Sequence, residues 1–185
     1  MSDEATSRLS KQWDNDVALL VIDVQKGLFD KSTPIYNAGK LLENINALVD
    51  CAHRAGVPVF YVQHANESWL APGSDGWQLH AGLRPLDSDC AIQKRHGSAF
   101  QGTGLGKELE ARAIRRLVVT GLVTHGCVKA TCLDAVKLGY GVILVEDGHS
   151  NFNKQAADVI AEWNQKLSEG GVELKSTQDL VLDSQ

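Results

Sequence analysis

One stretch decides the fold predicted for this chain: Arg116-Leu-Val-Val-Thr120, followed by Gly121-Leu-Val-Thr-His-Gly-Cys127-Val128. The first five residues are mostly apolar, which predicts a strand buried on both faces. The second part leads into a helix predicted from His125 to Leu138, with one apolar face formed by Val128, Cys132 and Ala135. A buried strand followed by a helix is the repeating half of a βαβ unit, in which helices connect parallel strands.

The same alternation extends outward from this unit. Continuous apolar runs predict further strands at residues 17–23, 57–62, 91–93, 142–145 and 172–174. Apolar stripes predict a helix ended by Gly56, a helix over 103–113 and a last helix capped by Ser150 or Asn151. The pattern therefore predicts an α/β fold with a mostly parallel sheet and helices on both faces, without giving the strand order.

Length, composition and charge limit the partners that we expect. The chain suits a single domain over residues 1–185, with a polar N-terminal extension at 1–15; 43% of its residues are hydrophobic and 22% are charged. A net charge of −5 gives no reason to expect nucleic acid or an anionic membrane as a partner. No apolar run approaches the roughly 20 residues that cross a bilayer, and the acidic N-terminus is unlike a signal peptide.

The four cysteines, Cys51, Cys90, Cys127 and Cys132, form no CxxC pair. Their spacing argues against both a disulfide framework and a structural zinc site. Free thiols are typical of a reducing compartment, so we expect a cytoplasmic protein.

Three reactive side chains follow predicted strands. Asp23 ends the first strand, Lys94 follows the run at 91–93, and Cys127 lies in the loop after the strand at 116–120. Open parallel sheets place their active sites at the carboxyl ends of the strands, so we expect the three to meet there. N–H groups at a helix start favour a thiolate at Cys127. Together these features predict a cysteine hydrolase.

Residues 63–90 show little periodicity and are rich in Gly, Pro, Ser and Asn. A segment of this length in a compact domain is usually functional or disordered, and its two tryptophans argue against disorder. We expect Trp69 and Trp77, together with Phe29, to contact the substrate; core packing or a subunit contact is the alternative. The conformation of the segment does not follow from the sequence.

The blocks Val21-Ile-Asp23-Val-Gln25, Lys94-Arg-His-Gly-Ser98-Ala-Phe100 and Gly121-Leu-Val-Thr-His-Gly-Cys127-Val-Lys-Ala-Thr131 resemble the three signature blocks of the isochorismatase-like cysteine hydrolases. This superfamily includes nicotinamidase and N-carbamoylsarcosine amidohydrolase. The resemblance implies a Rossmann-like, three-layer α/β/α sandwich and a catalytic set of Asp23, Lys94 and Cys127. It also implies a cis peptide bond between Leu122 and Val123, a small-molecule substrate and a homo-oligomer.

The chemistry expected of these residues is hydrolysis of a small carboxamide or ureido C–N bond through a thioester. Asp23 would take the thiol proton and return it to the leaving group, while Lys94 would hold Asp23 and stabilise the thiolate. The backbone N–H groups of Val123 and Cys127 are the candidate oxyanion hole. Gln25 is expected to lie against the substrate or to orient the loop or Asp23 rather than to react.

A metal site is not expected, and neither is a cofactor. Nicotinamidases carry a metal-binding Asp-x-His after the second strand, whereas Val62-Gln63-His64-Ala65-Asn66-Glu67 lacks it. A set formed by His64, His80 and Asp75 has irregular spacing and too few ligands. His125 stands where many relatives have an acidic residue. The missing Asp-x-His also weakens the case for nicotinamide as the substrate.

Two other function classes stay open. Isochorismatases hydrolyse a vinyl ether and typically lack the nucleophilic cysteine, so Cys127 favours the amide reaction over theirs. A non-catalytic binding protein on the same fold is the second class. A Ser-His-Asp triad from Ser150, His149 and Asp147 is disfavoured, because adjacent residues cannot converge on one point. The sequence identifies neither the substrate nor the number of subunits.

Overall fold

The strands of the sheet come from evenly distributed parts of the chain. We describe residues 13–152 and 154–182 of a computed structural model; most of the predicted N-terminal extension, residues 1–12, lies outside them. The strands are β1 (Val17–Ile22), β2 (Val59–His64), β3 (Cys90–Lys94), β4 (Arg116–Leu122), β5 (Gly141–Ser150) and β6 (Glu173–Lys175). They form one sheet in the order β3-β2-β1-β4-β5-β6, and every neighbouring pair is parallel. The predicted parallel α/β sheet is confirmed.

Helices cover both faces of this sheet. They are α1 (Lys26–Phe29), α2 (Ala38–Ala55), α3 (Leu105–Ala111), α4 (Lys129–Lys137, preceded by a π turn at Thr124–Val128), α5 (Ala156–Glu169) and α6 (Thr177–Leu182). In β1, Leu19 packs with α2 and α6 on one face, while Leu20 packs with α3, α4 and α5 on the other. Because burying one such side chain stabilises the fold by about 1.5–3 kcal/mol, a strand that is apolar throughout requires cover on both sides. The three layers α/β/α are the result.

Several element boundaries differ from the prediction. β5 continues to Ser150, whose hydroxyl donates to the Tyr36 carbonyl 2.6 Å away, so Ser150 does not cap α5. The helix predicted from His125 begins instead with the π turn. Ala113, the last residue of the helix predicted over 103–113, lies beyond the end of α3 with a φ of 55° and is exposed. A further helix, α6, follows the helix that was predicted to be the last.

None of the helices in the described ranges is long and apolar enough to cross a membrane. The 63–90 segment is mostly irregular, as predicted, and folds back on the chain that follows β1. The Gly27 N–H donates to the Gly76 carbonyl, the His80 N–H to the Val24 carbonyl, and Gln25 forms an isolated antiparallel bridge with Leu79. This segment is thereby fixed against the carboxyl ends of the central strands.

Candidate active site

Four side chains converge at the carboxyl ends of β3, β2, β1 and β4, which are neighbours in the sheet. Lys94 and His64 are the last residues of β3 and β2 and lie opposite each other in the register. Asp23 follows β1, and Cys127 lies in the π turn that follows β4. The three residues predicted to be catalytic are therefore brought together, and His64 joins them. Its position at the end of a strand could have indicated this, but the predicted β2 stopped at Val62.

The Lys94 ammonium lies at the centre of the cluster. Its Nζ atom is 2.9 Å from Oδ2 of Asp23, 3.1 Å from Nδ1 of His64, 3.1 Å from the His96 carbonyl and 3.1 Å from Sγ of Cys127. The whole residue is only 1% exposed. A buried ammonium is costly unless it is paired and hydrogen-bonded, and here its neighbours supply both the charge and the acceptors.

Asp23 is held in a backbone conformation that is unusual for a residue with a side chain. Its φ is 54°, in the left-handed region, and its N–H donates to the Val62 carbonyl at 2.8 Å. Burial raises the pKa of the carboxyl group, while the charge of Lys94 opposes that rise. The second oxygen, Oδ1, is buried and has no hydrogen-bond partner in the described part of the chain.

The loop that carries Cys127 is shaped by close contact between β1 and β4. Gly121 has a φ of 116°, and a Cβ there would come within 2.1 Å of the Ile22 carbonyl oxygen, so only glycine fits. The Leu122–Val123 peptide bond that follows is cis, at the position implied by the resemblance. Gly126, directly before the cysteine, has φ −117° and ψ −109°, outside the helical range.

The protonation expected for Cys127 requires a correction. A helix start was expected to favour the thiolate, but burial and the negative charge of Asp23 raise the pKa of the Cys127 thiol to about 12. Lys94 lowers it, by less. The π turn also departs from regular helical geometry at Gly126, so it is a poorer source of aligned N–H groups than a regular helix start. Cys127 is therefore a protonated thiol near neutral pH.

His64 is oriented by Gln25. The Gln25 side chain donates to the carbonyls of His64 at 3.0 Å and Trp77 at 2.8 Å, and its oxygen accepts from the His64 N–H at 2.9 Å. Burial, and after it the charge of Lys94, lowers the pKa of His64, so the ring is neutral and its Nδ1 accepts the Lys94 hydrogen bond. Gln25 is fully buried, its amide is hydrogen-bonded to backbone groups, and it is not among the residues that line the cavity at Cys127.

A cavity of about 150 Å³ opens onto the cluster. An engineered protein cavity of roughly that size holds benzene, so the space suits a small molecule. It is lined by Asp23, Leu28, Lys31, His64, Trp69, Leu70, Val123, Cys127 and Phe152. Trp69 was predicted there, whereas Lys31 and Phe152 were not, and nothing in the sequence distinguished them.

Phe29 and Trp77, also predicted to contact substrate, do not line this cavity. Phe29 packs against the core and its ring lies 4.3 Å from that of His80, centroid to centroid. The Trp77 carbonyl accepts hydrogen bonds from the side chains of Gln25 and Gln63. Their roles here are packing and the fixing of the 63–90 segment, the alternative that the sequence left open for both.

His80 and Asp75 are not gathered around His64. Asp75 forms an exposed ion pair with Lys26, and Nδ1 of His80 accepts from the Gly82 N–H. The described residues instead bring potential ligand atoms of Asp23, His64 and Cys127 within 4.8 Å of one another. The Lys94 ammonium is already hydrogen-bonded to all three residues, so its charge opposes binding of a metal cation there.

A hydrogen-bond chain behind the cysteine loop occupies the residues of the disfavoured serine triad. The Nδ1 atom of His149 lies 2.9 Å from the Thr124 hydroxyl, and its Nε2 lies 2.8 Å from Oδ1 of Asn164. Burial lowers the pKa of His149 to about 4, so the ring is neutral. Asp147 accepts hydrogen bonds from the N–H and hydroxyl of Thr177. Because the Ser150 hydroxyl donates to the Tyr36 carbonyl, no Ser-His-Asp triad forms.

This fold, with a polar cluster at the ends of its central strands, defines an α/β protein of the hydrolase type. Residues 17–168 match the isochorismatase domain, and the chain belongs to the isochorismatase family. An uncharacterized isochorismatase family protein of Bacillus subtilis (strain 168), YddQ, is 34% identical over 148 residues, 77% of this chain and 82% of that protein. A crystal structure of an isochorismatase family protein superposes with a TM-score of 0.84 at 30% identity, covering 89% of this chain and 99% of that one.

Some relatives have named activities. A streptothricin hydrolase of Streptomyces noursei is 33% identical over 147 residues, 78% of this chain but 53% of that protein, so the match spans about half its length. A ureidoacrylate amidohydrolase, RutB, of Pseudomonas savastanoi pv. phaseolicola (strain 1448A / Race 6) is 28% identical over 184 residues, 77% of this chain and 75% of that protein. The family thus contains hydrolases with different substrates.

Proposed function

We propose that the protein is a cysteine hydrolase that cleaves the C–N bond of a small carboxamide or ureido compound, with Cys127 as nucleophile. The observation that carries the proposal is the buried contact of Lys94 with both Asp23 and Cys127, at 2.9 and 3.1 Å. A thiol, a carboxylate and an ammonium at the floor of a small cavity provide a nucleophile, a base and a fixed positive charge.

The first step is attack on the carbonyl carbon. Because the thiol is protonated at rest, Asp23 removes its proton as sulfur forms the new S–C bond. The carbonyl π electrons move to oxygen, and the backbone N–H groups of Val123 and Cys127 are the proposed donors to that oxyanion. Lys94 stabilises the negative charge on sulfur as the proton leaves.

The second step expels the nitrogen. The oxyanion re-forms the carbonyl while the C–N bond breaks, and Asp23 returns its proton to the departing nitrogen, which leaves as ammonia or an amine. The acyl group stays on Cys127 as a thioester. Water then attacks the thioester carbon while Asp23 accepts its proton; the C–S bond breaks, the acid is released and Cys127 recovers its proton. Atoms and charge balance without an external oxidant or cofactor.

The raised pKa of the Asp23 carboxyl suits this double role. A carboxyl group whose pKa is raised by burial is a stronger base than an ordinary carboxylate, so it takes the thiol proton more readily. In the amide reaction Cys127 is essential, whereas a vinyl-ether hydrolysis does not require a thiol. The position of Cys127 on the cavity wall therefore favours the C–N reaction over the isochorismatase reaction and over a purely binding role.

We further propose a homo-oligomer in a reducing compartment such as the cytoplasm. None of the four cysteines, all of which lie in the described ranges, forms a disulfide, which supports the second part. The oligomeric part rests on the family resemblance, and light scattering on the purified protein tests it.

The experiment that tests the proposal is release of ammonia from a panel of small carboxamides and carbamoyl compounds. Wild type is compared with Cys127→Ala and Asp23→Asn, and Cys90→Ala is the matched control because Cys90 is a partly buried thiol outside the cavity. We expect turnover by wild type and Cys90→Ala and at least a thousandfold loss in the other two. Turnover by Cys127→Ala close to that of wild type would rule out the thioester mechanism.

A further inference from the structure

Lys31 supplies a positive charge to the wall of the cavity that holds Cys127. Its Nζ atom lies 4.1 Å from the centroid of the Trp69 ring and 5.0 Å from that of the Phe152 ring. Both rings line the same cavity as Lys31 itself. The two cation–π contacts hold the otherwise exposed ammonium at the cavity rather than free in solvent.

This charge has no acidic partner among the residues that the structure describes. The other basic group of the site, Lys94, is matched by Asp23, whereas Lys31 forms no ion pair with a carboxylate in residues 13–152 and 154–182. Asp30, its neighbour in the chain, lines an adjacent surface depression with Lys31 but does not pair with it. With one carboxylate and two ammonium groups, the site carries an excess of positive charge.

The apolar residues of the cavity wall strengthen the effect of this excess positive charge. Leu28, Leu70 and Val123 line the cavity beside the two aromatic rings. Apolar walls lower the local dielectric and strengthen the attraction between Lys31 and an anion, compared with the same pair in water. A neutral substrate would leave the charge unpaired, and a cationic one would be repelled by it.

We propose that Lys31 determines specificity by pairing with a carboxylate of the substrate, so that the substrate class is small anionic amides or ureido acids. This inference rests on the proposed function for the identity of the bond that is cleaved. The carboxamide or ureido carbon lies at Cys127, and a short chain leads to the carboxylate at Lys31. A cavity of about 150 Å³ limits that chain to a few atoms.

The test measures binding, so that it does not depend on turnover. Alkylation of Cys127 by iodoacetamide is followed by peptide mass spectrometry in the presence of succinamate, succinamide or β-alaninamide. These three amides are close in size and are anionic, neutral and cationic. The readout is the concentration of each that halves the alkylation rate, in wild type, Lys31→Met and Lys31→Arg. Lys40→Met is the control, since Lys40 is an exposed lysine of α2 paired with Glu43 and does not line the cavity.

In wild type we expect succinamate to protect Cys127 at about a tenfold lower concentration than succinamide, with β-alaninamide weakest. Lys31→Met brings the succinamate-to-succinamide ratio to about one and leaves protection by succinamide within twofold. Lys31→Arg and Lys40→Met keep the wild-type ratio. Equal protection by succinamate and succinamide in wild type, or an unchanged ratio in Lys31→Met, overturns the inference. If β-alaninamide protects best, the rings of Trp69 and Phe152 bind the ligand instead of Lys31, and the inference is also overturned.

The same ligands separate this inference from the proposed function. Anion-selective protection that is lost in Lys31→Met, without ammonia release from any substrate of the panel, leaves Lys31 as an anion site on a protein that does not cleave C–N bonds. Ammonia release with no dependence on Lys31 supports the hydrolase and removes the role of the lysine.

Discussion

The Nζ atom of Lys94 lies 2.9 Å from Oδ2 of Asp23 in a part of the protein where the side chains are 0% and 3% exposed. A buried pair of this kind contributes little net stability, because desolvation of both charges offsets their attraction. Each partner instead lowers the free-energy cost of burying the charge of the other. The ammonium then remains in contact with the thiol of Cys127, and the carboxylate beside it can act as the base.

Removing Lys94 should therefore destabilise the fold as well as the site. Lys94→Met leaves Asp23 buried without its partner, and we expect a loss of about 3–5 kcal/mol in the free energy of unfolding. Chemical denaturation at pH 7.5 measures it. The double variant Asp23→Asn, Lys94→Met should be more stable than Lys94→Met alone, since no lone charge is left.

The exposed pair Lys26 and Asp75 is the control for that prediction. With exposed fractions of 35% and 78%, this pair is screened by solvent, and Lys26→Met should cost less than about 1 kcal/mol. Equal losses for Lys26→Met and Lys94→Met would mean that burial of the central pair has no energetic consequence.

The reactivity of Cys127 should reflect its raised pKa. With a thiol pKa of about 12, the thiolate fraction rises tenfold per pH unit below that value, so the alkylation rate should climb from pH 7 to pH 10 without a plateau. Peptide mass spectrometry after timed exposure to iodoacetamide gives the rate at Cys127 alone. A plateau below pH 8 would show that the thiol ionises as the helix-start argument first suggested.

Gln25 should matter for position and stability. Its fully buried amide forms three hydrogen bonds to the backbone of His64 and Trp77, and Gln25→Leu removes all three, leaving the Trp77 carbonyl only its bond from Gln63. We expect the free energy of unfolding to fall by about 1–3 kcal/mol. Turnover should fall as well, because His64 lies directly opposite Lys94 in the pairing of β2 with β3. Gln63→Leu, which removes one bond to the Trp77 carbonyl, should have a smaller effect in both assays.

His149 should make stability depend on pH in a defined window. The pKa of the buried ring is about 4 in the folded protein and about 6.5 when unfolded, so below pH 6.5 the unfolded chain binds the additional proton. The stabilisation is complete above pH 6.5 and is lost as the pH falls towards 4. Between pH 7 and pH 5 this one residue should account for about 2 kcal/mol.

The matched variant for His149 is Gln, which can accept from the Thr124 hydroxyl and donate to Asn164 but does not titrate. We expect the unfolding free energy of His149→Gln to fall less than that of wild type between pH 7 and pH 5. Parallel pH profiles for the two proteins would show that His149 does not control this dependence.

The parts of the fold that could be predicted from the sequence are those in which apolar residues alone decide the structure. β1 is buried on both faces and α2 carries a regular apolar stripe, so neither has a competing solution. Boundaries were less accurate where polar contacts decide. The hydroxyl of Ser150 donates a hydrogen bond to the Tyr36 carbonyl, so Ser150 stays in β5. The helix α5 therefore begins later, at Ala156.

The candidate site, too, could be predicted from the sequence only in part. Asp23, Lys94 and Cys127 follow strands, and parallel packing places strand ends together, so their proximity could be predicted. The lining of the cavity could not, because Lys31, Leu70 and Phe152 come from irregular segments whose conformation depends on tertiary contacts. The raised pKa of Cys127 could not be predicted from the sequence either, because it depends on burial and on the distance to Asp23.

The measurement that tests the central claim most directly is capture of the acyl group on Cys127. A compound that releases ammonia is incubated with the enzyme and hydroxylamine, which attacks a thioester to give a hydroxamate. A parallel sample without hydroxylamine is quenched in acid and examined by peptide mass spectrometry. We predict hydroxamate formation at the expense of the free acid. Without hydroxylamine, the peptide that contains residue 127 should carry an acyl adduct in wild type and no adduct in Cys127→Ala. Full turnover with no hydroxamate and no adduct at Cys127 would contradict covalent catalysis by this residue.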